Sequence, residues 1–147
     1  MTTAATPRHP SPADVARKGR AAADRRLTAP AVLPAGIAAR ALYERAILGS
    51  GMTPHPRLVA IALATYADAA GEIIRQPRLT GLVHDTGLHA GQVVVALTTL
   101  RGRGWIRQSP ARARFDVADL ALTIPNHVLT SLRRKAAAQQ TAEESSV

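Results

Sequence analysis

The stretch from Leu79 to Ile106, LTGLVHDTGLHAGQVVVALTTLRGRGWI, constrains this chain more than any other. Leu79, Leu82 and Val83 fall at i, i+3 and i+4, one apolar face of a short helix. Thr86-Gly87-Leu88 breaks it. A glycine can take the left-handed conformation that closes a helix, and the leucine after it can plug the core beneath the turn. Val93, Ala96, Leu97 and Leu100 then trace a second single face. Gly102 and Gly104 stop that helix, and Trp105-Ile106 restarts the chain as a strand, with Trp105 read as core. The first helix is poorly capped, because Arg78 stands where a capping Ser or Asp is expected and Gly81 lies inside it. Packing rather than intrinsic propensity must hold it.

The flanking segments supply further elements. Residues 1–34 carry five prolines, many alanines and a surplus of basic residues without periodicity, which predicts a disordered basic arm with a transient helix over 14–26. Residues 35–138 form the domain. Within it, Gly36 to Leu48 predicts a helix whose stripe is Ile37, Ala41, Leu42, Arg45 and Leu48, with Ala38 and Ile47 beside it. The next helix takes Pro56 at its first position and runs to about Ala69, with Leu58, Val59, Ala62, Leu63 and Tyr66 inward. Glu72 to Arg75 reads as a short extended segment. Trp105 to Gln108 and the alternating Leu120, Leu122 and Ile124 read as strands, joined by a polar loop that carries Arg112 and Arg114. A last helix runs from His127 to about Ala138, and 139–147 reads as a disordered polar tail.

Two helices joined by a turn-closing Thr-Gly-Leu, followed by Arg103-Gly104-Trp105-Ile106, resemble the winged helix-turn-helix DNA-binding domains of bacterial, phage and plasmid transcriptional regulators. The resemblance covers roughly residues 56–125, about half the chain. It implies a mainly α fold with a small β-hairpin wing, flanked here by N- and C-terminal helices. The extended segment at Glu72 would pair with the wing. The implied function is a small DNA-binding transcriptional regulator on double-stranded DNA, or a plasmid or phage replication or maintenance protein. A homodimer on a two-fold operator fits the resemblance, although no heptad pattern supports it.

In the resembled domains the second helix of the motif enters the major groove and the wing touches backbone or minor groove. Carried across, the groove-facing positions are Gly91, Val95 and Thr98, flanked by Ala90, Gln92, Val94, Thr99 and Arg101. This chain departs from the family there, since relatives commonly place Arg, Lys, Ser or Thr at several of these positions. Two accounts fit. In one, Gln92 reads adenine, Val94 or Val95 meets thymine methyls, Gly91 admits close backbone approach and Arg101 holds phosphate. In the other, the winged helix is an adaptor whose Val94/Val95 face binds a second protein or a second copy. Arg78, Arg101, Arg103, Arg107, Arg112 and Arg114 surround the motif and would supply phosphate contacts. Arg112 and Arg114 lie two apart, so on an extended chain both point the same way, towards phosphate or minor groove.

Composition supports a polyanionic partner. The net charge is +9 over 147 residues, carried almost wholly by arginine, whose fork donates two hydrogen bonds to a phosphate at once. An arginine-rich proteome would produce the same bias, so charge alone argues only modestly. There are no cysteines, and the five histidines match no ligand spacing, so no metal or cofactor is expected. The acidic residues are isolated and His84-Asp85 reads as a surface pair, so no catalytic constellation is expected. Without a signal peptide or a membrane-length apolar run, the expected location is cytoplasmic, on the nucleoid.

Overall fold

The structure, a computed structural model, describes residues 9–32 and 38–146. The start of the expected arm, its end at residues 33–34, and the Gly36-Ile37 start of the next expected helix lie outside the described residues, as does Val147. The described residues are mainly helical, with one two-stranded antiparallel sheet.

Periodicity and structure agree best at the centre. Helices α3 (Pro54–Ala64), α4 (Arg78–Thr86) and α5 (Ala90–Gly102) pack on one another. Val93, Ala96, Leu97 and Leu100 of α5 are all buried, against Leu82 of α4 and Val59 and Leu63 of α3. Each buried Val or Leu among them contributes about 1.5–3 kcal/mol. Gly87 ends α4 at φ 70°, and its N–H donates to the Val83 carbonyl at 3.0 Å. Helix α4 starts without a side-chain cap, and Arg78 itself sits at φ 57°. Helix α3 begins two residues before the expected Pro56, stops at Ala64, and leaves Leu58 exposed.

Helix α2 (Ala39–Leu48) packs on α3 through Tyr43, Ala46 and Ile47. This corrects the expected stripe: Ala41, Arg45 and Leu48 are exposed. The buried face turns towards Trp105, whose ring meets Tyr43 edge-on at 5.9 Å and 81°. Such a contact adds to the area both rings bury. The Tyr43 hydroxyl is buried without a hydrogen-bond partner among the described residues, and burial pushes its pKa upward.

Strands β1 (Ile106–Ser109) and β2 (Asp119–Leu122) pair with Ile106 opposite Leu122 and Gln108 opposite Leu120. Ile106, Gln108 and Leu120 face the core, while Arg107 and Ser109 face out. The Glu72–Arg75 segment does not join them. Ile73 makes a bridge to Ala67 instead, and the Gln76 side chain takes the place beside β2. Its amide donates to the Leu120 carbonyl and accepts from the Leu120 N–H, both at 2.9 Å. One carboxamide thus completes the backbone pairing that a third strand would supply.

Both ends are more helical than composition predicts. Helix α1 (Pro12–Thr28) starts with a capping box in which the Asp14 N–H donates to Ser11 Oγ and the Ser11 N–H donates to the Asp14 carboxylate. None of its side chains is buried. Its C-terminal end is fastened to the body. Ala31 N–H donates to Ile124 O, and Asn126 N–H to Ala29 O. Asn126 Nδ2 reaches Arg26 O, and His127 Nδ1 lies 2.9 Å from Leu27 O. Helix α6 (Asn126–Ser145) continues through most of the expected tail, an Ala- and Gln-rich run of strong helix formers. Leu129 is its one buried residue.

Candidate nucleic-acid interface

Two separate grooves flank the outer face of α5. On one side, Thr53, His55 and Pro56 at the start of α3 line a groove with Gly91, Gln92, Val95 and Thr99. On the other, Leu79 of α4 and Arg114, Phe115 and Asp116 of the β1–β2 loop form a second groove with Val94. Ala90, Gly91, Gln92, Val94, Val95 and Thr98 are all exposed, and Val95 keeps 66% of its surface.

The chemistry of that face is narrower than its residue names suggest. Thr98 and Thr99 donate their hydroxyl protons back to the Val94 and Val95 carbonyls at 2.8 and 3.1 Å. They can therefore only accept from a ligand. Gln92 Oε1 accepts from the His89 N–H at 3.0 Å, which makes it part of the α5 cap. Its NH2 remains to donate outward. The face thus offers apolar methyls, hydroxyl acceptors and one amide donor. The start of α3 adds little, because Pro54 and Pro56 remove two of the N–H groups a helix N-terminus would present.

The arginines divide into two groups. Arg78 does not reach the α5 face. Its Nη1 donates to the Val117 and Ala118 carbonyls, both at 2.9 Å, and its Nη2 lies 3.1 Å from Asp119. It clasps α4 to the hairpin. Arg101 donates to Gln108 Oε1 at 2.7 Å and stacks its guanidinium 5.2 Å over the Phe115 ring. Gln108, only 6% exposed, passes its amide on to the Ala113 carbonyl. Arg101 thereby braces the loop. The side chains of Arg103, Arg107 and Arg112 are exposed and make no hydrogen bond or ion pair among the described residues. Arg114 is 87% exposed, with a 3.5 Å contact to Asp116.

The extended geometry expected for Arg112 and Arg114 is absent. Ala113 N–H donates to Pro110 O, and the Val117 and Ala118 N–H groups both donate to Arg114 O, so the loop is a run of turns. Alternation by two therefore does not apply to this pair.

His84-Asp85 is indeed at the surface, but the dominant partner of Asp85 is the Tyr66 hydroxyl, with His84 Nδ1 at 3.3 Å. The hydrogen bond from Tyr66, and secondarily that from His84, holds the Asp85 carboxyl below its ordinary pKa. Arg75 stacks over the same Tyr66 ring at 5.8 Å. Among the described residues no cluster of three or more His, Asp or Glu could hold a metal ion, and no helix is long and apolar enough to cross a membrane.

Gln76, Gln108 and Phe115 are the residues that periodicity misses, since each acts through partners on another element. No protein-family model, no curated protein and no solved structure matches the chain.

Proposed function

We propose that the chain is a winged helix-turn-helix protein that binds double-stranded DNA as a transcriptional regulator. In this reading α3 is the supporting helix, α4, the Gly87 turn and α5 are the motif, and the β1–β2 hairpin is the wing. The carrying observation is the exposed outer face of α5, flanked by a braced loop that holds Arg112 and Arg114 in solvent. Val95 and Val94 suit thymine methyls, the threonine oxygens accept from base amines, and Gly91 admits the backbone closely. Arg112 and Arg114 supply phosphate contacts. The location that goes with this reading is the nucleoid.

The test is duplex binding across a salt series, on a random duplex and on a genomic fragment pool. The expected result is a log–log slope of several units together with enrichment of particular sequences. A chain that binds neither at low salt refutes the reading.

One observation favours an adaptor instead: Val95 stands exposed in a groove with Pro56 and Ala96. Val95→Arg separates the two. A DNA-binding face keeps or gains non-specific affinity, with the salt slope steeper by about 0.9. An adaptor face loses its protein partner.

A further inference from the structure

Among the described residues, no arginine lines the groove at the N-terminal end of α5. Arg103 and Arg107 lie where the end of α1 meets the α5–β1 connection. The geometry there is close: a Cβ built on Gly104 would stand 2.1 Å from the Thr28 carbonyl oxygen. Thr28 therefore lies directly against the α5–β1 connection. It lines one groove with Arg107 of β1 and another with Arg103 at the end of α5. Arg25, three residues before Thr28 on α1, lines neither groove and lies one turn back along that helix. Its Nε donates to Ala21 O at 3.1 Å, which leaves the two terminal nitrogens unused. Neither groove has an acidic side chain in its lining. Residues separated by nearly eighty positions in sequence are thus brought to one surface by the backbone bonds between 29–31 and 124–126.

We infer that Arg25, Arg103 and Arg107 form a second phosphate-binding track, which holds a nucleic-acid backbone at the junction of α1 and the hairpin. The inference rests on the DNA reading above and extends it to a further contact. Along α5 Arg103 lies about 18 Å from Gly91 but only about 6 Å from Thr99, so the track continues the outer face of that helix beyond its C-terminal end. The partner chemistry is the phosphodiester backbone: guanidinium forks fit phosphate oxygens, and the grooves present no base-reading set of donors and acceptors. The basic arm in this account is a helix fixed at its C-terminal end. It brings its charge to DNA already positioned, with less ordering entropy to lose than a loose tail.

The test is the salt dependence of binding to a random duplex by the full chain. The track variant carries Arg25→Gln, Arg103→Gln and Arg107→Gln. The control removes the same charge from α6, as Arg133→Gln, Arg134→Gln and Lys135→Gln. A third variant carries Lys at the three track positions. Three lost phosphate contacts lower the log–log slope by about 2.7. The expected result is that drop in the track variant, less than half of it in the α6 control, and a slope near that of the unaltered chain with lysines. Equal drops in track and control mean that net charge alone acts, and they overturn the inference. So does a lysine variant as impaired as the glutamine one, which means that the junction has been damaged. An unchanged slope in the track variant, with the unaltered chain still steep, overturns this inference and leaves the DNA reading standing. An unaltered chain that does not bind duplex removes both.

Discussion

Gly104→Ala tests the seating of α1. Gly104 has φ +81°, where an L-residue is strained by about 1–2 kcal/mol. The larger effect is steric, because the new methyl would lie 2.1 Å from Thr28 O. Ordinary contact needs more than a further ångström, and the obstacle is main chain, not a side chain that can rotate. Residues 26–31 must lift. They take with them two backbone hydrogen bonds, Ala31 to Ile124 and Asn126 to Ala29, and two side-chain contacts, from Asn126 and His127. At about 0.5–1.5 kcal/mol each, with the exposed pair at the low end, their loss costs about 2–4 kcal/mol, partly offset by chain entropy regained. The net expectation is about 3 kcal/mol in urea unfolding. A double-mutant cycle isolates the mechanism. In the unaltered chain, replacing Asn126 and His127 by Ala costs about 1 kcal/mol. In the Gly104→Ala background, where the contacts are already broken, it costs close to nothing. Strict additivity of the two changes refutes the steric account and leaves only local strain at residue 104.

Three further outcomes follow from single contacts. Tyr43→Phe deletes a buried hydroxyl that has no partner among the described residues, so it leaves stability unchanged or raises it by up to about 1–3 kcal/mol; a clear loss in calorimetry would reveal a bond at that oxygen. Gln76→Leu leaves the Leu120 N–H and carbonyl without their side-chain partner, costs about 1–3 kcal/mol and exposes the Leu120 amide to hydrogen exchange; unchanged protection at Leu120 contradicts the pairing. The bond from Tyr66 depresses the Asp85 pKa, so its stabilisation is complete above the ordinary carboxyl value of 3.8 and is lost as pH falls through the folded value. Tyr66→Phe moves the Asp85 titration upward, towards that value, in a carbon-detected NMR titration, and an unmoved midpoint speaks against the bond.

How much of this was legible in sequence depends on how far each signal reaches. The α5 face was legible because Val93, Ala96, Leu97 and Leu100 repeat with the helix itself, and Gly87 because the left-handed conformation that closes a helix favours glycine. Helix α1 had a signal too. Ser11-Pro-Ala-Asp14 is a capping box with proline at the first position, but the surrounding Pro, Ala and charge outweighed it. The face of α2 slipped because Ala41, Leu42, Tyr43 and Ala46 permit more than one stripe, and the choice is made by Trp105, sixty residues away. Gln76 and Gln108 carry no local mark at all. Their partners, backbone groups and for Gln108 also the Arg101 guanidinium, are brought near by the completed fold.

Arginine is the extreme case of that ambiguity, and it yields a prediction that joins stability to binding. Arg78 and Arg112 look alike in sequence, two cations beside the same motif. In the structure Arg78 is bound to two carbonyls and Asp119, whereas Arg112 is in solvent. Charge-assisted hydrogen bonds of this kind contribute about 1.5–3 kcal/mol each, discounted here because the side chain is 43% exposed. Arg78→Gln therefore costs about 1–2 kcal/mol and loosens the hairpin, while its own guanidinium, already engaged, adds little to the salt slope. Arg112→Gln does the reverse. It changes stability by less than about 0.5 kcal/mol, as surface substitutions usually do, and on the proposed DNA reading lowers the log–log slope by about 0.9. Urea unfolding and duplex titration of the same two variants separate the roles. If Arg78→Gln lowers the slope by a full contact at unchanged stability, the clasp does not exist in solution and Arg78 belongs to the DNA interface. If Arg112→Gln leaves the slope intact, the hairpin loop does not touch phosphate.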